Sequence, residues 1–255
     1  MDDVDPMIYF LIPVYNEEQN LKQLCTDLKN VLADQQRHYV FVDDCSSDGS
    51  IDVLRQELPL AQLQILSKEG QRGPGDSFNR GFEWILEHSN EPADLIVTLE
   101  GDNTSDLDIL NRMILISELG YQLVLASVYA QGGSFDKTSF MRKVSSSAAN
   151  FIFRFFFGIR VQTLSSFYRV YHVDLLRLIK ERYGSIIKEA GFISMLEVLV
   201  KAIRLNAPII EVPVKLMSQM RKGQSKMKKV RTMMDYIRFL LTFRDSRVPI
   251  DFDHG

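Results

Sequence analysis

A chain of 255 residues is long enough to bury the core of one large α/β domain, alone or with an appendage. Its residues are 45% hydrophobic and 25% charged, and its formal net charge is -3, which excludes a disordered chain and gives no sign of a nucleic-acid partner. The two cysteines, Cys25 and Cys45, suit neither a disulfide framework nor a metal-ligand spacing, so we expect a reducing, cytoplasmic compartment. No stretch of about 20 residues lacks charge, and the N-terminus lacks a signal-peptide pattern, so membrane contact is expected to be peripheral.

The first half of the chain alternates short apolar runs, rich in β-branched residues, with longer helical patterns, which is typical of βαβ units. The runs are apolar on both faces, so we expect an α/β fold with a mostly parallel sheet and helices on both faces. The sequence predicts strands at 7–15, 38–44, 63–67, 93–100 and 121–128, and helices at 16–32, 51–58, 77–88 and 106–119.

The second half is less regular, and its patterns predict a helix at 141–157, an extended segment at 163–171, a helix at 196–204 and a strand at 207–214. From Lys215 to Arg231 the chain carries seven basic residues and no acid, and a helical pattern covers 226–243. These patterns divide the chain into a domain at 1–216 and a C-terminal basic loop with an amphipathic helix at 217–255. The apolar face of such a helix either lies on a membrane or, more commonly, docks on its own domain or on a second subunit.

Polar segments follow the first four predicted strands, at 15–18, 43–50, 68–75 and 100–106. Because ligands bind at the carboxyl ends of parallel strands, we expect these segments to form one site. Asp43 and Asp44 end the second strand and point in opposite directions, so only one of them can face a ligand, where it could bind a ribose or base. In the alternative interpretation, one caps the turn and the other lies in solvent. The glycines in 68–75 could cradle a phosphate, although a glycine-rich loop is more often only a turn.

The segment at 100–106, with Glu100 and Asp102 on one side of the extended chain, suits a hard divalent cation such as Mg²⁺ or Mn²⁺. Such a cation needs one or two carboxylates and shares itself with substrate phosphates. In the alternative interpretation, Thr104 or Ser105 caps the next helix, and Asp106 and Asp108 complement its dipole. Both interpretations can hold at once, because these two acids lie beyond the proposed metal ligands.

Together these segments resemble the inverting family 2 glycosyltransferases with a GT-A fold, and within them the dolichol-phosphate mannose synthase-like enzymes. The resemblance covers residues 8–226 and rests on "FLIPVYNEEQNL", "FVDDCSSDGS", "QRGPGDSFNRGF" and "EGDNTSD", in that order. It implies a metal site at Glu100 and Asp102. It also implies a nucleotide site formed by Pro13, Tyr15, Glu17, Asp43, Asp44, Arg72 and Gly73.

The second half resembles the acceptor side of the same family. "MRKVSSS" is similar to its acceptor-phosphate segment, "TLSSFYRVY" and "GFISMLEVL" to two further motifs, and "MRKGQSKM" to a basic loop that closes over the diphosphate. The resemblance implies catalytic roles for Asp102, Arg169, Glu197 and Lys226. It implies acceptor or diphosphate contacts for Arg142, Ser146, Ser165, Arg221 and Ser225.

Several positions depart from the family pattern. Glu100 replaces the first Asp of the metal motif, Val128 replaces an Arg, and Thr163 and Phe167 replace an Asp and a Gly. The changes at 128, 163 and 167 bear on the acceptor, and the change at 100 bears on how the metal is held.

The implied reaction is metal-dependent transfer of a sugar from a UDP- or GDP-linked donor to a polyprenyl phosphate, with inversion. If the acceptor is instead a glycan hydroxyl, Glu197 becomes the candidate base, although its spacing also allows an ion pair with Lys201. Two other hypotheses remain, a nucleotidyltransferase and an inactive nucleotide-sugar-binding protein. Peripheral membrane contact and a homo-oligomer are the partner predictions for the C-terminal helix.

Overall fold

The computed structural model describes residues 6–135, 161–164, 166–223 and 238–239. The strands are β1 (Ile8–Val14), β2 (Arg37–Asp43), β3 (Leu63–Ser67), β4 (Leu95–Thr98), β5 (Leu123–Ser127), β6 (Ser134–Phe135), β7 (Arg169–His172), β8 (Ile209–Pro213) and β9 (Lys215–Leu216). The α-helices are α1 (Glu18–Asn30), α2 (Ser50–Glu57), α3 (Pro74–His88), α4 (Leu110–Glu118), α5 (Val173–Tyr183) and α6 (Ser194–Arg204), and 3₁₀ turns cover Leu60–Gln62 and Leu107–Ile109.

Seven strands form one sheet in the order β3-β2-β1-β4-β7-β5-β8, and β6 pairs with β9 in a small second sheet. In the large sheet β7 runs antiparallel to both β4 and β5, while the other pairings are parallel. The predicted mostly parallel α/β sheet is therefore confirmed. The pairing of Thr98 with Arg169 places the start of β7 at the edge where the parallel strands end.

Each face of the sheet has its own hydrophobic core, and alternate side chains of β1 belong to the two cores. Tyr9 and Leu11 pack with α3, α5 and α6, while Ile8, Phe10 and Ile12 pack with α1, α2 and α4. Side chains of a strand alternate between faces, so a strand that is apolar throughout must be covered on both sides.

The structure differs from the sequence predictions mainly at helix starts. Helix α1 begins at Glu18 rather than at Asn16, because Asn16 has a left-handed backbone with φ 51°. Helix α3 begins earlier than predicted, with Pro74 at its first position, where a missing N–H costs nothing. The sequence patterns missed α5 and the antiparallel direction of β7.

Two predicted helices lie largely or wholly outside the described residues. The helix at 141–157 is outside them, and of the helix at 226–243 only Arg238 and Phe239 are described, both helical. The Phe239 ring is buried in the core on the α3, α5 and α6 face. Among the described residues, no helix is both long and apolar enough to cross a membrane.

A glycine at the start of α3 sets how closely that helix approaches the chain before α6. The Gly75 N–H donates to the Ala190 carbonyl at 2.8 Å, and a Cβ on Gly75 would lie 2.1 Å from the Glu189 carbonyl oxygen.

We expect Gly75→Ala to lower the free energy of unfolding by about 1–3 kcal/mol, the usual cost of overpacking, as measured by urea denaturation. Gly70→Ala is the control, because no atom lies within 4 Å of its added Cβ; equal midpoints for the two variants would contradict the prediction.

Candidate active site at the carboxyl edge of the sheet

The loops after β1 and β2 are bound to each other by side chains from both. Asn16 donates its backbone N–H to the Ser46 hydroxyl at 2.9 Å, and its side-chain oxygen accepts the Ser47 N–H at 2.7 Å. The Glu17 N–H is accepted by the Ser50 hydroxyl at 2.9 Å. This mutual bonding holds the predicted nucleotide-site residues Pro13, Tyr15 and Glu17 at the carboxyl edge, where all three are half-buried.

The two acids that end β2 have separate partners and are both buried. Asp43 accepts the Ser46 N–H at 3.0 Å and so caps the turn, as one of the sequence interpretations required. Asp44 accepts the backbone N–H groups of Arg72 and Gly73, each at 2.9 Å, so it is not the solvated acid of that interpretation. Asp44 therefore ties the loop after β3 to the end of β2.

Lys68 neutralises Asp44 from the end of β3. Its Nζ lies 2.6 Å from Asp44 Oδ1, 2.8 Å from Asp76 Oδ2 and 3.0 Å from the Ser77 hydroxyl, and its side chain is 3% exposed. Gly73, in the same loop, has φ 93°, a backbone conformation that would be strained in any residue with a side chain. The backbone N–H groups of Arg72 and Gly73, which could have bound a phosphate, are thus already bonded to Asp44. The clearest role of the loop after β3 is therefore structural, because it holds one side of the site in place.

The acidic segment after β4 folds back on itself. Asp102 is 7% exposed, and its Oδ1 accepts the backbone N–H of Thr104 at 3.2 Å and the Thr104 hydroxyl at 2.7 Å. Asn103 is left-handed, with φ 60°. The next helical turn is capped by Asp106, which accepts the Asp108 N–H at 3.1 Å, rather than by Thr104 or Ser105.

A cation from the C-terminal basic loop already binds this acidic segment. The guanidinium of Arg221 forms an ion pair with Asp102 Oδ2. Burial raises the pKa of the Glu100 carboxyl, the nearby charge of Arg221 opposes that rise, and the charge of Glu17 adds to it. Three acidic side chains and one guanidinium therefore share a small region.

The donor set fits a hard divalent cation. Glu100 and Asp102 are two carboxylates two residues apart at a strand end, and the Arg221 guanidinium shows that the place stabilises positive charge. In the part of the chain that the structure describes, no cluster of three or more His, Cys, Asp or Glu side chains could hold a metal by itself. Mg²⁺ and Mn²⁺ sites of this type need only one or two carboxylates, since waters and substrate phosphates complete the shell.

Arg169 lies at the same edge but is fully buried, and its guanidinium binds the main chain. It donates to the carbonyls of Ser166 at 2.7 Å, Leu164 at 2.9 Å and Met195 at 2.7 Å. These bonds join the segment before β7 to the start of α6. They favour a positioning role for Arg169 over direct contact with an acceptor.

Glu197 is also buried, and its carboxylate is surrounded by donors. It accepts the N–H groups of Lys188 and Glu189, each at 2.9 Å from Oε2, and pairs with Lys201 at 2.6 Å. The ion pair that the spacing allowed is thus present, and burial lowers the Lys201 pKa while Glu197 opposes that change. Because both carboxylate oxygens are bonded, the geometry favours Glu197 as the support of the segment that packs on Gly75.

Five predicted site residues lie outside the described residues, so their roles stay predictions: Arg142, Ser146, Ser165, Ser225 and Lys226. Sequence reasoning missed Asn20, which is 3% exposed and binds the backbone of Lys222. Its signal was present, because Asn20 lies four residues before Leu24 on the buried stripe of α1, where a polar residue is unexpected.

The fold and the site define a class of protein, an α/β enzyme whose acidic loops bind a ligand at the carboxyl edge of the sheet. The family model for glycosyl transferase family 2 matches residues 9–179. The chain belongs to this family and is a glycosyltransferase, and the GT-A fold that the sequence predicted is confirmed.

Two curated bacterial relatives are similar over most of the chain. A polyprenol monophosphomannose synthase from Mycolicibacterium smegmatis is 28% identical over 220 residues, which cover 85% of this chain and 79% of that protein. An undecaprenyl-phosphate mannosyltransferase from Micrococcus luteus is 27% identical over 220 residues, or 85% of this chain and 86% of that protein.

Among solved structures, the fold is similar to glucosyl-3-phosphoglycerate synthase from Mycobacterium tuberculosis in complex with Mn²⁺, UDP and glucosyl-3-phosphoglycerate. That similarity has a TM-score of 0.65 and 16% identity, and it covers 94% of this chain and 80% of that one.

The contribution of the Lys68 ion pairs to the stability of the protein can be measured. We expect Lys68→Met to lower the free energy of unfolding by about 3–5 kcal/mol, because it leaves the buried Asp44 carboxylate without a counter-ion; urea denaturation measures this. Lys29→Met is the control, because its pair with Glu57 spans 3.6 Å and is much more exposed; its cost should stay below about 1 kcal/mol.

Combining Lys68→Met with Asp44→Asn should restore part of the lost stability, since the amide removes the unpaired charge. A Lys68→Met variant as stable as Lys29→Met would show that the Asp44 carboxylate does not depend on this cation.

Proposed function

We propose that the protein transfers a sugar from a nucleoside-diphosphate sugar to a polyprenyl phosphate, with inversion at the anomeric carbon and with a divalent cation. The proposal rests above all on the ion pair between Asp102 and Arg221, which shows that the acidic segment after β4 and the C-terminal basic loop meet at the same place. A diphosphate needs both, a cation held by carboxylates and a basic side chain on its free oxygens.

The donor would lie along the carboxyl edge, with its nucleoside toward the loops after β1 and β2. Support comes from the interlocked segment at Tyr15 and Glu17 and from the solved relative that binds UDP and Mn²⁺. Asp102, with Glu100 beside it, would hold the cation. When bound, that cation would neutralise charge on the leaving diphosphate, and Arg221 and Lys226 would bind the same group.

The acceptor class is supported by the two bacterial relatives, which are named for polyprenol and undecaprenyl phosphate. An acceptor phosphate oxygen is already anionic at neutral pH, so direct attack needs no protein base. That agrees with the bonding of Glu197, whose carboxylate is occupied by Lys188, Glu189 and Lys201. Arg142 and Ser146 would bind the acceptor phosphate, with Arg169 supporting the adjacent segment.

A lipid-linked acceptor requires access to a bilayer. We propose that the protein is cytoplasmic and meets the membrane surface through the C-terminal region 217–255, whose predicted helix has an apolar face flanked by arginines. The buried Phe239 ring supports docking of part of this helix on the domain, which leaves its other faces for the membrane surface or for a second subunit.

The donor site can be tested by thermal shift with UDP-, GDP- and CDP-sugars in Mn²⁺ or in EDTA. We expect one nucleotide class to raise the melting temperature by about 5–10 °C at 100 times its Kd, from linkage of roughly 2.7 kcal/mol. EDTA and Asp102→Asn should each remove most of this rise, because both remove the cation from the diphosphate.

Asp106→Asn is the matched control for the donor test, since Asn caps a helical turn as well as Asp does. It should keep the full rise. If no nucleoside-diphosphate sugar stabilises the wild-type protein, the transferase proposal is wrong.

The acceptor can be tested with short polyprenyl phosphates and with free glycans. We expect transfer to the phosphate only, and Glu197→Gln should keep the pH profile of kcat, because the acceptor arrives deprotonated. The paired variant Glu197→Gln with Lys201→Met controls for the unpaired lysine that the single change leaves. Transfer only to a glycan hydroxyl, with the basic limb of the pH profile lost in Glu197→Gln, would establish the alternative acceptor with Glu197 as base.

A further inference from the structure

The first seven residues after the small β9 strand lie across the candidate site and are bound to it at three points. We call residues 217–223 the strap. The Met217 N–H donates to the Thr104 carbonyl at 3.1 Å, and the Arg221 guanidinium pairs with Asp102. The Lys222 backbone binds Asn20 through both its N–H, at 2.8 Å, and its carbonyl, at 3.1 Å.

Asn20 is built to hold the strap. Its side chain is buried, its Oδ1 accepts from Lys222, and its Nδ2 donates to Lys222 and to Glu17 Oε2 at 2.6 Å. Because the Asn20 amide binds the backbone N–H and the backbone carbonyl of one residue, its bonds depend on the position of the strap and not on the side chain at 222. If the strap left, this buried amide would lose two of its bonds, which is costly.

Arg221 supplies the positive charge that the acidic segment needs. Asp102 Oδ1 already accepts twice from Thr104, so Oδ2 is the oxygen that binds a cation, and Arg221 binds that oxygen. The same guanidinium acts on Glu100, whose carboxyl lies nearby. A divalent cation on Asp102 and the guanidinium of Arg221 therefore compete for one oxygen.

We propose, on the basis of the function proposed above, that Arg221 is an internal counter-ion that a divalent cation displaces from Asp102. Asn20 keeps the strap over the site during this exchange, and the released guanidinium then binds the diphosphate of the donor. The exchange gives an order to binding, because Arg221 becomes available to the diphosphate only after the cation has replaced it.

The test is the affinity of the full-length protein for Mn²⁺, measured by electron paramagnetic resonance without nucleotide, and for UDP and GDP, measured by calorimetry with saturating Mn²⁺. Arg221→Met should bind Mn²⁺ alone about tenfold more tightly and should bind the preferred nucleoside diphosphate about tenfold more weakly, within the usual range of coupling between sites. Asn20→Ala should shift both affinities in the same directions by a smaller factor. A general loss of structure would weaken both, so the opposite signs identify the exchange.

Two further variants keep the test decisive. Arg221→Lys retains a cation and should stay close to wild type in its Mn²⁺ affinity, whereas Lys222→Met removes an exposed charge from the same strap and should change that affinity by less than about twofold, because exposed charges are screened. Asp102→Asn should abolish the tight Mn²⁺ site in every background.

An Arg221→Met variant that binds Mn²⁺ no more tightly than wild type would overturn the exchange, even if wild type binds a nucleoside diphosphate and the transferase proposal stands. Conversely, failure of every nucleoside-diphosphate sugar to bind wild type would overturn the transferase proposal, and the Mn²⁺ measurements would still decide whether Arg221 and the cation compete.

Discussion

Buried carboxylates along one edge of the sheet are the constraint on which the rest of the site depends. A carboxylate removed from water must find cations or N–H donors, or it destabilises the fold. Asp44 pairs with Lys68 and accepts two backbone N–H groups. Glu197 likewise pairs with Lys201 and accepts two backbone N–H groups. Asp102 accepts from Thr104 and pairs with Arg221. The first two sets are complete within the domain and fix loops. The third takes its cation from a separate segment of chain, so it is the set that a ligand can change.

The loops that meet at this edge are rigid because each is bonded to its neighbour and not only to itself. Asn16, Cys45 and Asn103, in the loops after β1, β2 and β4, all have a left-handed backbone, a conformation that costs energy in residues other than glycine. The bonds of Asn16 to the loop after β2, and of Asp44 to the loop after β3, compensate for that cost. Under the proposed function, a preorganised edge of this kind would bind a nucleotide without first having to order its walls.

The sequence predicted the sheet well because its strands are apolar on both faces, and that pattern has one common explanation. It also placed Glu100 and Asp102 correctly just beyond a strand, but that strand ends at Thr98 and the chain turns at Gly101 and Asp102, so the extended segment predicted there is wrong. It could not show that Arg169 and Glu197 turn inward, since a motif names a residue but not the partners that bury it. Asn20 was missed for the same reason, and so were the partners of Lys68. The contacts of Lys68 with Asp76 and of Asn20 with Lys222 span 8 and 202 residues of the chain, and no local periodicity encodes such contacts. The direction of β7 was missed because a four-residue strand carries no signal of its orientation.

The surroundings of Glu100 also depend on the charges of the neighbouring side chains. A Cβ on Gly101 would lie 3.1 Å from the Pro13 carbonyl oxygen, so the chain passes close to the end of β1 between its two acids. Glu100, on the longer side chain, lies near both Glu17 and Arg221; burial raises the pKa of its carboxyl, and the charge of Arg221 only opposes that rise. A divalent cation held by Glu100 and Asp102 would stabilise both carboxylates, whereas the one guanidinium of Arg221 is already paired with Asp102. Three carboxylates, of Glu17, Glu100 and Asp102, thus lie near one guanidinium, and a divalent cation bound there would favour their charged forms.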